Sequence, residues 1–442
     1  MDDPSKRTYA RFIPAFWTWA SGHPVLKEVI PTFGESRLVK RERMMGLAHR
    51  MLHLLDTEAT DLALTSYEKP LTAYTSPEIF RREREIIFGR TPMFIGMSSE
   101  IPHAGDYFTR DFVDTPMLAL RHKDGTVRLY LNACRHRGAK VALEPCGSAQ
   151  RFICPFHAWS FDHDGRLANI TEPEGFDDMD WDRKSLVALP VAEKYGMIFG
   201  CATPGVTVDP DEILGGLGPE MAEWGFENFA MYDKPHDHQG SGNWKYTWDT
   251  FCENYHFATL HKKTLGEFLI GRRQAFDIFG RNVRMISATR SIYQMRELPE
   301  DQWKPEEHLS VQYRLYPSIN FSIYPDFMAI FWVMPGKDQS HSRAIHITFL
   351  AKEPANQDKR DQIAFAIQRG CVDVVQNEDF WVTGLAETGM RAPGAPATFM
   401  IGKNEPALQH FNRLFAEAVG DEIELGLNPR PASDERRAMG AR

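Results

Sequence analysis

Two short stretches decide the reading of this chain: Asn132-Ala133-Cys134-Arg135-His136-Arg137-Gly138 and Phe152-Ile153-Cys154-Pro155-Phe156-His157-Ala158-Trp159. Their pattern is C-x-H, seventeen residues, then C-x-x-H. Each half carries one thiolate and one imidazole. That set suits a [2Fe–2S] cluster with the sulfurs of Cys134 and Cys154 on one iron and the imidazoles of His136 and His157 on the other. Neutral imidazole in place of two thiolates lowers the negative charge around the cluster and raises its potential. The same four donors also suit tetrahedral zinc. Zinc fingers, however, usually pair Cys with Cys and His with His, and here each half carries one of each.

The surrounding texture, from about 92 to 200, is that of short strands and turns. Phe112-Val113, Met117–Leu120 and Val127–Leu131 are β-type runs. Lys123-Asp124-Gly125 and Asp162-His163-Asp164-Gly165 are turn signals between them. A small antiparallel β domain follows. Upstream, residues 1 to about 70 read as mostly helical, with Lys40 to Leu64 free of Pro. A further helix opens at Ser76-Pro77-Glu78, with Ser76 as N-cap and Pro77 in the first helical position. Downstream, Asn243–Leu260, Asp358–Gly370 and Glu378–Thr388 suit helices. Asn282–Ala288, Ser318–Tyr324, Met328–Met334 and Ser342–Ala351 suit strands. Helices flanking consecutive strands predict an α+β domain with an antiparallel sheet. The tail after Leu427 is polar and is expected to be mobile.

The chain has 442 residues, 51 Lys+Arg against 60 Asp+Glu, and a formal net charge of −9. An apolar content of 43%, with 12% aromatic, excludes global disorder. Mild acidity argues against a nucleic-acid binder. No run of about 18 apolar residues is present, so no membrane-spanning helix is expected. The opening Met1-Asp2-Asp3-Pro4 lacks a signal-peptide pattern, and a cytoplasmic protein is the default expectation. Six cysteines are too few for a disulfide scaffold. Cys146, Cys201, Cys252 and Cys371 are expected to be buried free thiols.

A second constellation lies at Asp249-Thr250-Phe251-Cys252-Glu253-Asn254-Tyr255-His256-Phe257-Ala258-Thr259-Leu260-His261. His256 and His261 are five apart and can converge on one metal if the helix ends or kinks between them. With one carboxylate they form a facial triad that leaves open positions on Fe(II). Alone, H-x4-H is a weak signal, and a solvated helix face is the bland alternative.

The cluster loops and this second block together resemble the catalytic (α) subunits of Rieske non-haem iron ring-hydroxylating oxygenases. The likeness runs over about residues 74–390. The His256/His261 pair follows His157 by 99 residues, close to the family's interval, and Asn243-Trp244-Lys245 and Glu253-Asn254-Tyr255-His256 match its pattern. The resemblance implies an α+β fold: a Rieske [2Fe–2S] domain at 73–204 and a mononuclear-iron catalytic domain at 205–427 with a central antiparallel sheet of helix-grip type. An N-terminal helical extension at 1–72 and a mobile tail at 428–442 flank them. It implies Asp379, in Asn377-Glu378-Asp379, as third iron ligand, with Glu378 the alternative, at the start of a helix running to Gly389. It places Glu253 at a bridging position between the cluster of one subunit and the iron of the next. Cysteines that form a disulfide in the respiratory branch are replaced here by Ala139 and Phe156.

By the same resemblance, electrons come from NAD(P)H through a separate flavin reductase, with or without a ferredoxin; no G-x-G-x-x-G is present in this chain. The implied assembly is a homotrimer, or α3β3 with a small subunit. The implied activity is hydroxylation of an aromatic substrate with dioxygen, cis-dihydroxylation foremost. Monooxygenation or demethylation of a methylated or quaternary ammonium compound is the alternative, and a Rieske-type electron carrier or a zinc-structured interaction protein are more distant ones. Asp249, Trp248, Phe251 and Phe257 adjoin the ligands and are candidate pocket residues, Asp249 with a candidate catalytic role. Phe327, Ile330, Phe331 and Trp332 are further candidates for an aromatic-lined pocket.

Overall fold

The chain from Phe33 to Asp56 forms helix α1, whose Met44, Leu47, Ala48, Met51 and Leu52 bury one stripe in the main core. The fold is that of a computed structural model, which describes residues 33–421. Residues 1–32 of the expected helical extension, and the expected tail at 428–442, lie outside the described residues. The expected helix over Lys40–Leu64 stops eight residues early. Glu58 takes a left-handed backbone (φ 50°), and the Ala59 amide returns to the Leu54 carbonyl at 2.9 Å. This is a helix-ending turn that usually requires Gly and was invisible without one. The segment before residue 72 is also not wholly helical. Strand β1 (Tyr67–Pro70) pairs antiparallel with a strand far downstream, Tyr67 facing Ile401. Helix α2 (Pro77–Glu83) starts as expected, with the Ser76 hydroxyl accepting from the Ile79 amide.

Residues 44–421 lie in one compact unit. Its first half is built from β2 (Met93–Met97), β3 (Asp106–Phe112), β4 (Thr115–Arg121), β5 (Val127–Leu131), β6 (Cys146–Ser148), β7 (Phe152–Ile153), β8 (Ser160–Phe161), β9 (Leu167–Asn169), β10 (Ala188–Leu189), β11 (Val191–Lys194) and β12 (Met197–Gly200). They make three antiparallel sheets, ordered β10-β5-β4-β3-β6, β11-β12-β2 and β7-β8-β9. The five-stranded sheet is covered on both faces. Met117, Ala119 and Leu129 enter the main core, while Leu118, Leu120 and Tyr130 join a second core around Cys134, Cys154 and Trp159.

The second half carries the short helices α3 (Pro210–Leu214) and α4 (Gly218–Trp224), then β13 (Ala230–Met231), β14 (His236–Ser241) and helix α5 (Trp244–Phe251). Five further strands follow: β15 (Ala275–Phe279), β16 (Asn282–Ala288), β17 (Leu309–Leu315), β18 (Ile319–Ile323) and β19 (Phe327–Pro335), with β20 (His341–Leu350) closing the series. All are antiparallel, in the order β13-β20-β19-β18-β17-β16-β15, with β14 also on β20. The four strands expected from sequence correspond to β16, β18, β19 and β20. β13, β14, β15 and β17 were not foreseen: β13 has two residues, β14 (His236–Ser241) carries no large apolar side chain, β15 does not alternate, and the alternation of β17 places Gln312 and Arg314 where a buried strand is not expected. Among the described residues no helix is long and apolar enough to cross a membrane.

The two faces of this sheet differ. Ile286, Tyr313, Phe321, Ile330, Trp332 and Ile347 make one face apolar, and it packs on β2 and α4: Trp332 stacks on Phe94 at 5.3 Å, and Tyr313 accepts from the Trp224 indole. The opposite face receives α5 and a long helix, α6, spanning 357–390.

Helix α6 corrects an expectation. The two separate helices predicted at Asp358–Gly370 and Glu378–Thr388 are one continuous helix, α-helical over Gln357–Ile367 and Phe380–Met390 and π-helical over Gln368–Asp373 and Val375–Asp379. Asp379 therefore does not open a helix; it closes a π turn within one. After β21 (Thr398–Ile401), helix α7 (Pro406–Val419) packs on α5, Phe411 against Trp248 and Phe415 against Trp244.

Candidate metal centres

The two cluster loops are copies of one backbone turn. In the first, the Cys134 carbonyl accepts from the Gly138 amide at 2.9 Å and the Cys134 amide donates to Ala139 at 2.7 Å. In the second, Cys154 makes the same two bonds to Ala158 and Trp159, at 3.0 and 2.8 Å. Gly138 and Ala158 occupy equivalent left-handed positions, φ 82° and 57°. The first loop is clamped by buried Asn132: its Oδ1 accepts from the Val141 and Ala142 amides, and its Nδ2 donates to the Ala142 carbonyl at 2.8 Å.

These loops bring the four predicted residues together. The His136 and His157 rings are 4.7 Å apart, and His136 stacks on Trp159. The Nδ1 atoms of both rings are buried without a hydrogen-bond partner. Burial, and then the adjoining Cys154, push the Cys134 thiol above its ordinary range, while the His136 and Arg137 amides favour its thiolate. Burial and the neighbouring His157 hold His136 towards its neutral form. Two imidazoles with orphaned Nδ1 atoms in the loops that carry the adjoining Cys134 and Cys154 fit a [2Fe–2S] cluster. The four residues left out of the cluster set are also free thiols: Cys201, Cys252 and Cys371 buried, Cys146 half-buried.

The second centre forms where α5 stops. The expected helix over Asn243–Leu260 ends at Phe251, with Asn243 capping it through a bond from Lys245 at 2.9 Å. Asn254 breaks it. Its amide donates to Gln274 at 2.9 Å, its side chain donates to Ser287 at 3.1 Å, and its Oδ1 accepts from Arg272. A 3-10 turn over Tyr255–Ala258 then carries His256, and a following turn carries His261. The polypeptide thus leaves the helix before either histidine, rather than between them.

His256, His261 and Asp379 converge, their donor atoms all within 4.8 Å of one another. The His256 and His261 Nε2 atoms are 3.1 Å apart, and Asp379 Oδ1 lies 3.6 and 3.2 Å from them. That oxygen is buried and has no hydrogen-bond partner. Each imidazole is held from behind by another acid: Glu253 accepts from His256 Nδ1, and Glu378 Oε2 lies 2.6 Å from His261 Nδ1. Of the two acids left open by sequence, Asp379 thus faces both Nε2 atoms, and Glu378 grips the far side of one ring and the Thr264 hydroxyl. Burial opposes charge on His261, but Asp379 and Glu378 outweigh it and raise its proton affinity. Two imidazole nitrogens and one carboxylate oxygen that converge this closely fit a divalent iron.

Other predicted residues are distributed differently. Asp249 is not aimed at the histidines. Its oxygens accept from Tyr74 Oη at 2.5 Å and Asn412 Nδ2 at 3.1 Å, in a buried network with Lys69 that ties β1, α5 and α7 together. These bonds give Asp249 a supporting place between β1, α5 and α7. Phe257 packs edge-on to both iron-site rings, at 4.9 and 5.1 Å. Phe251 stacks on Trp248 and meets Phe331, so these three lie on the helix side of the sheet. Trp332 and Ile330 point to the opposite face, as strand alternation requires. Glu378, Thr264, Asn132 and Gln274 were not assigned these positions from sequence. Glu378 alone had a signal, its place beside Asp379.

Comparison with known proteins follows the same division. The family described as "Rieske [2Fe-2S] domain" matches residues 91–180, and "Ring hydroxylating alpha subunit (catalytic domain)" matches residues 226–421. The carnitine monooxygenase oxygenase subunit of Escherichia coli K12 is 25% identical over 80% of this chain and 94% of its own length. The anthranilate 1,2-dioxygenase large subunit of Burkholderia cepacia is 31% identical over 46% of this chain, and the match spans half of that relative. Among solved structures, the quaternary ammonium Rieske monooxygenase CntA with L-carnitine superposes with a TM-score of 0.67 at 22% identity, covering 81% of this chain and 96% of that one. Naphthalene 1,2-dioxygenase with indole gives 0.64 at 17%, covering 80% and 92%. These last two likenesses are of fold. With both family domains matched in the order in which the two centres occur, the chain belongs to the Rieske oxygenase alpha subunits, oxidoreductases that carry a Rieske [2Fe–2S] domain and a mononuclear-iron catalytic domain.

Proposed function

We propose that this chain is the terminal oxygenase of a multicomponent system and hydroxylates an aromatic substrate, cis-dihydroxylation being the leading outcome. The observation that carries this reading is the triad His256, His261 and Asp379, with its orphaned carboxylate oxygen and its two imidazoles held by Glu253 and Glu378. When bound, the iron supplies oxygen activation and the cluster at Cys134, His136, Cys154 and His157 supplies electrons one at a time. The protein's own part is to orient both imidazoles through Nδ1, to keep the site dry with Phe257, and to hold Asp379 within a buried π turn.

The boundaries 73–204 and 205–427 fit the two sets of sheets. Electrons would come from NAD(P)H through a reductase, with or without a ferredoxin. Glu253 would link this iron site to the cluster of a neighbouring subunit in a homotrimer or an α3β3 assembly. Exposed apolar side chains beside both centres support such contacts: Ile153 and Phe156 at the cluster loop, Tyr255 and Phe268 at the iron loop.

A second reading, monooxygenation or demethylation of a methylated ammonium compound, is favoured by the near full-length match to the carnitine enzyme. Turnover under ¹⁸O₂ with a generic NADH reductase and ferredoxin separates the two. Two labelled oxygens in one ring product support the first; one labelled oxygen, or formaldehyde release, supports the second. Oxidation of the reduced cluster without any oxygenated product, across aromatic and ammonium substrates alike, would defeat both.

A further inference from the structure

Strand β17, Leu309-Ser310-Val311-Gln312-Tyr313-Arg314-Leu315, alternates like a half-exposed strand, yet all seven residues are buried. Its polar residues share one sheet face with their cross-strand partners. Gln312 faces Ser322, Arg314 faces Asn320, and Ser310 faces Ser287. This is the face that carries the iron-site segment. Asn254 donates to Ser287 at 3.1 Å, and the Phe251 ring lies 5.3 Å from Phe331, the partner of Asn320 across β18 and β19.

Arg314 is the exception among buried arginines. It is 3% exposed. Arg110 and Arg284, buried to a similar degree, each meet a carboxylate: Glu100 for the first, Glu220 and Asp277 for the second. Among the described residues no carboxylate pairs with Arg314. Its Nε donates to the Phe251 carbonyl, its Nη1 to Asn320 Oδ1, and its Nη2 to Gln312 Oε1 at 2.6 Å. All three acceptors are neutral. A guanidinium has five N–H groups, so each terminal nitrogen keeps one N–H free. Burial lowers its pKa to about 10, and the nearest groups that oppose this are Cys252 and Tyr324, both neutral. The side chain therefore remains a cation at neutral pH. A buried cation with no counter-charge is costly unless something supplies the anion.

We propose that the substrate carries a carboxylate and that Arg314 is its anchor, on the sheet face from which Phe251 leads to Glu253 and His256. This rests on the oxygenase reading of the iron site and narrows it to organic acids. The planar N–H fork of arginine matches a carboxylate. Asn320 and Gln312 hold the guanidinium in one orientation, each accepting one hydrogen bond from a terminal nitrogen. Docking the acid at a fixed point sets which carbon of the substrate faces the iron.

The test uses the iron- and cluster-loaded protein. Binding of benzoate, phenylacetate and trimethylglycine, each against the carboxamide that lacks its carboxylate charge, is measured by calorimetry without reductase. At least one carboxylate is expected to bind about tenfold or more tighter than its amide. Arg314→Gln should erase that preference, and Arg314→Lys should retain part of it, with cluster absorbance and iron content unchanged in both. Equal binding of acid and amide, no carboxylate binding at millimolar concentration, or a preference that survives Arg314→Gln would overturn the proposal. The comparison within the unaltered protein stands even if a variant does not fold. Reductase and oxygen are then added. Acid preference without any oxygenated product would sink the oxygenase reading while keeping the anion site. Turnover of neutral compounds without acid preference would do the reverse.

Discussion

Glu378 and Asp379 grip opposite nitrogens of one imidazole: Glu378 Oε2 is 2.6 Å from His261 Nδ1, and Asp379 Oδ1 is 3.2 Å from Nε2 of the same ring. Consecutive residues of a regular helix diverge by about 100°. Their meeting around one side chain depends on the π turn that Asp379 closes and on His261 entering between them; π turns of this kind recur at functional sites.

The two acids should therefore fail differently. Asp379→Asn is expected to abolish iron retention, because it removes the anionic donor. Glu378→Gln should retain the site but weaken iron about 10- to 100-fold, as loss of an orienting acceptor does. Metal analysis after dialysis against a graded chelator checks this; equal losses in both variants would contradict the assignment.

Glu253 holds His256 through Nδ1 and through its backbone amide at 3.1 Å. Glu253→Gln should leave both centres filled and slow oxidation of the reduced cluster by about 10- to 100-fold in a single turnover. An unchanged single-turnover rate would remove Glu253 from the electron path.

Asn132 closes the first cluster loop with three buried hydrogen bonds. At about 1 kcal/mol each, Asn132→Ala should cost roughly 2–3 kcal/mol. It should also release the cluster before the catalytic half unfolds. Parallel melts followed by cluster absorbance and by far-ultraviolet circular dichroism give the two midpoints.

Burial, and then repulsion from Glu253 and Asp249, push the Glu405 carboxyl up to about 7. A carboxyl that binds its proton more tightly when folded stabilises the protein fully below its unfolded pKa, near 4.5, and that contribution is lost as pH rises through about 7. The unaltered protein should lose more stability between about pH 5 and pH 8 than Glu405→Gln, which cannot ionise. Urea midpoints of both at the two pH values measure the difference; parallel curves would count against it.

What the sequence determined by itself was local. Each cluster loop needs only a Cys, a His and a turn within six residues, so Cys134/His136 and Cys154/His157 could be named from their spacing. The same holds for Ser76 as a cap and for the strand pattern of β16, β18, β19 and β20. The tertiary structure decided everything that joins distant segments. Asp379 meets His261 across 118 residues, and that it, rather than Glu378, faces both Nε2 atoms hangs on a π turn that no propensity announces. Helix α5 stops at Phe251 because Asn254 finds Gln274 and Ser287 on other elements. Asp249 was drawn into a network by Tyr74 and Asn412, 175 and 163 residues away. Arg314 carries no sequence signal; only its burial within the sheet shows a cation that no carboxylate among the described residues meets. Backbone preference acts over a few residues, whereas a buried charge, a hydrogen-bond partner and a metal ligand set are properties of the packed molecule.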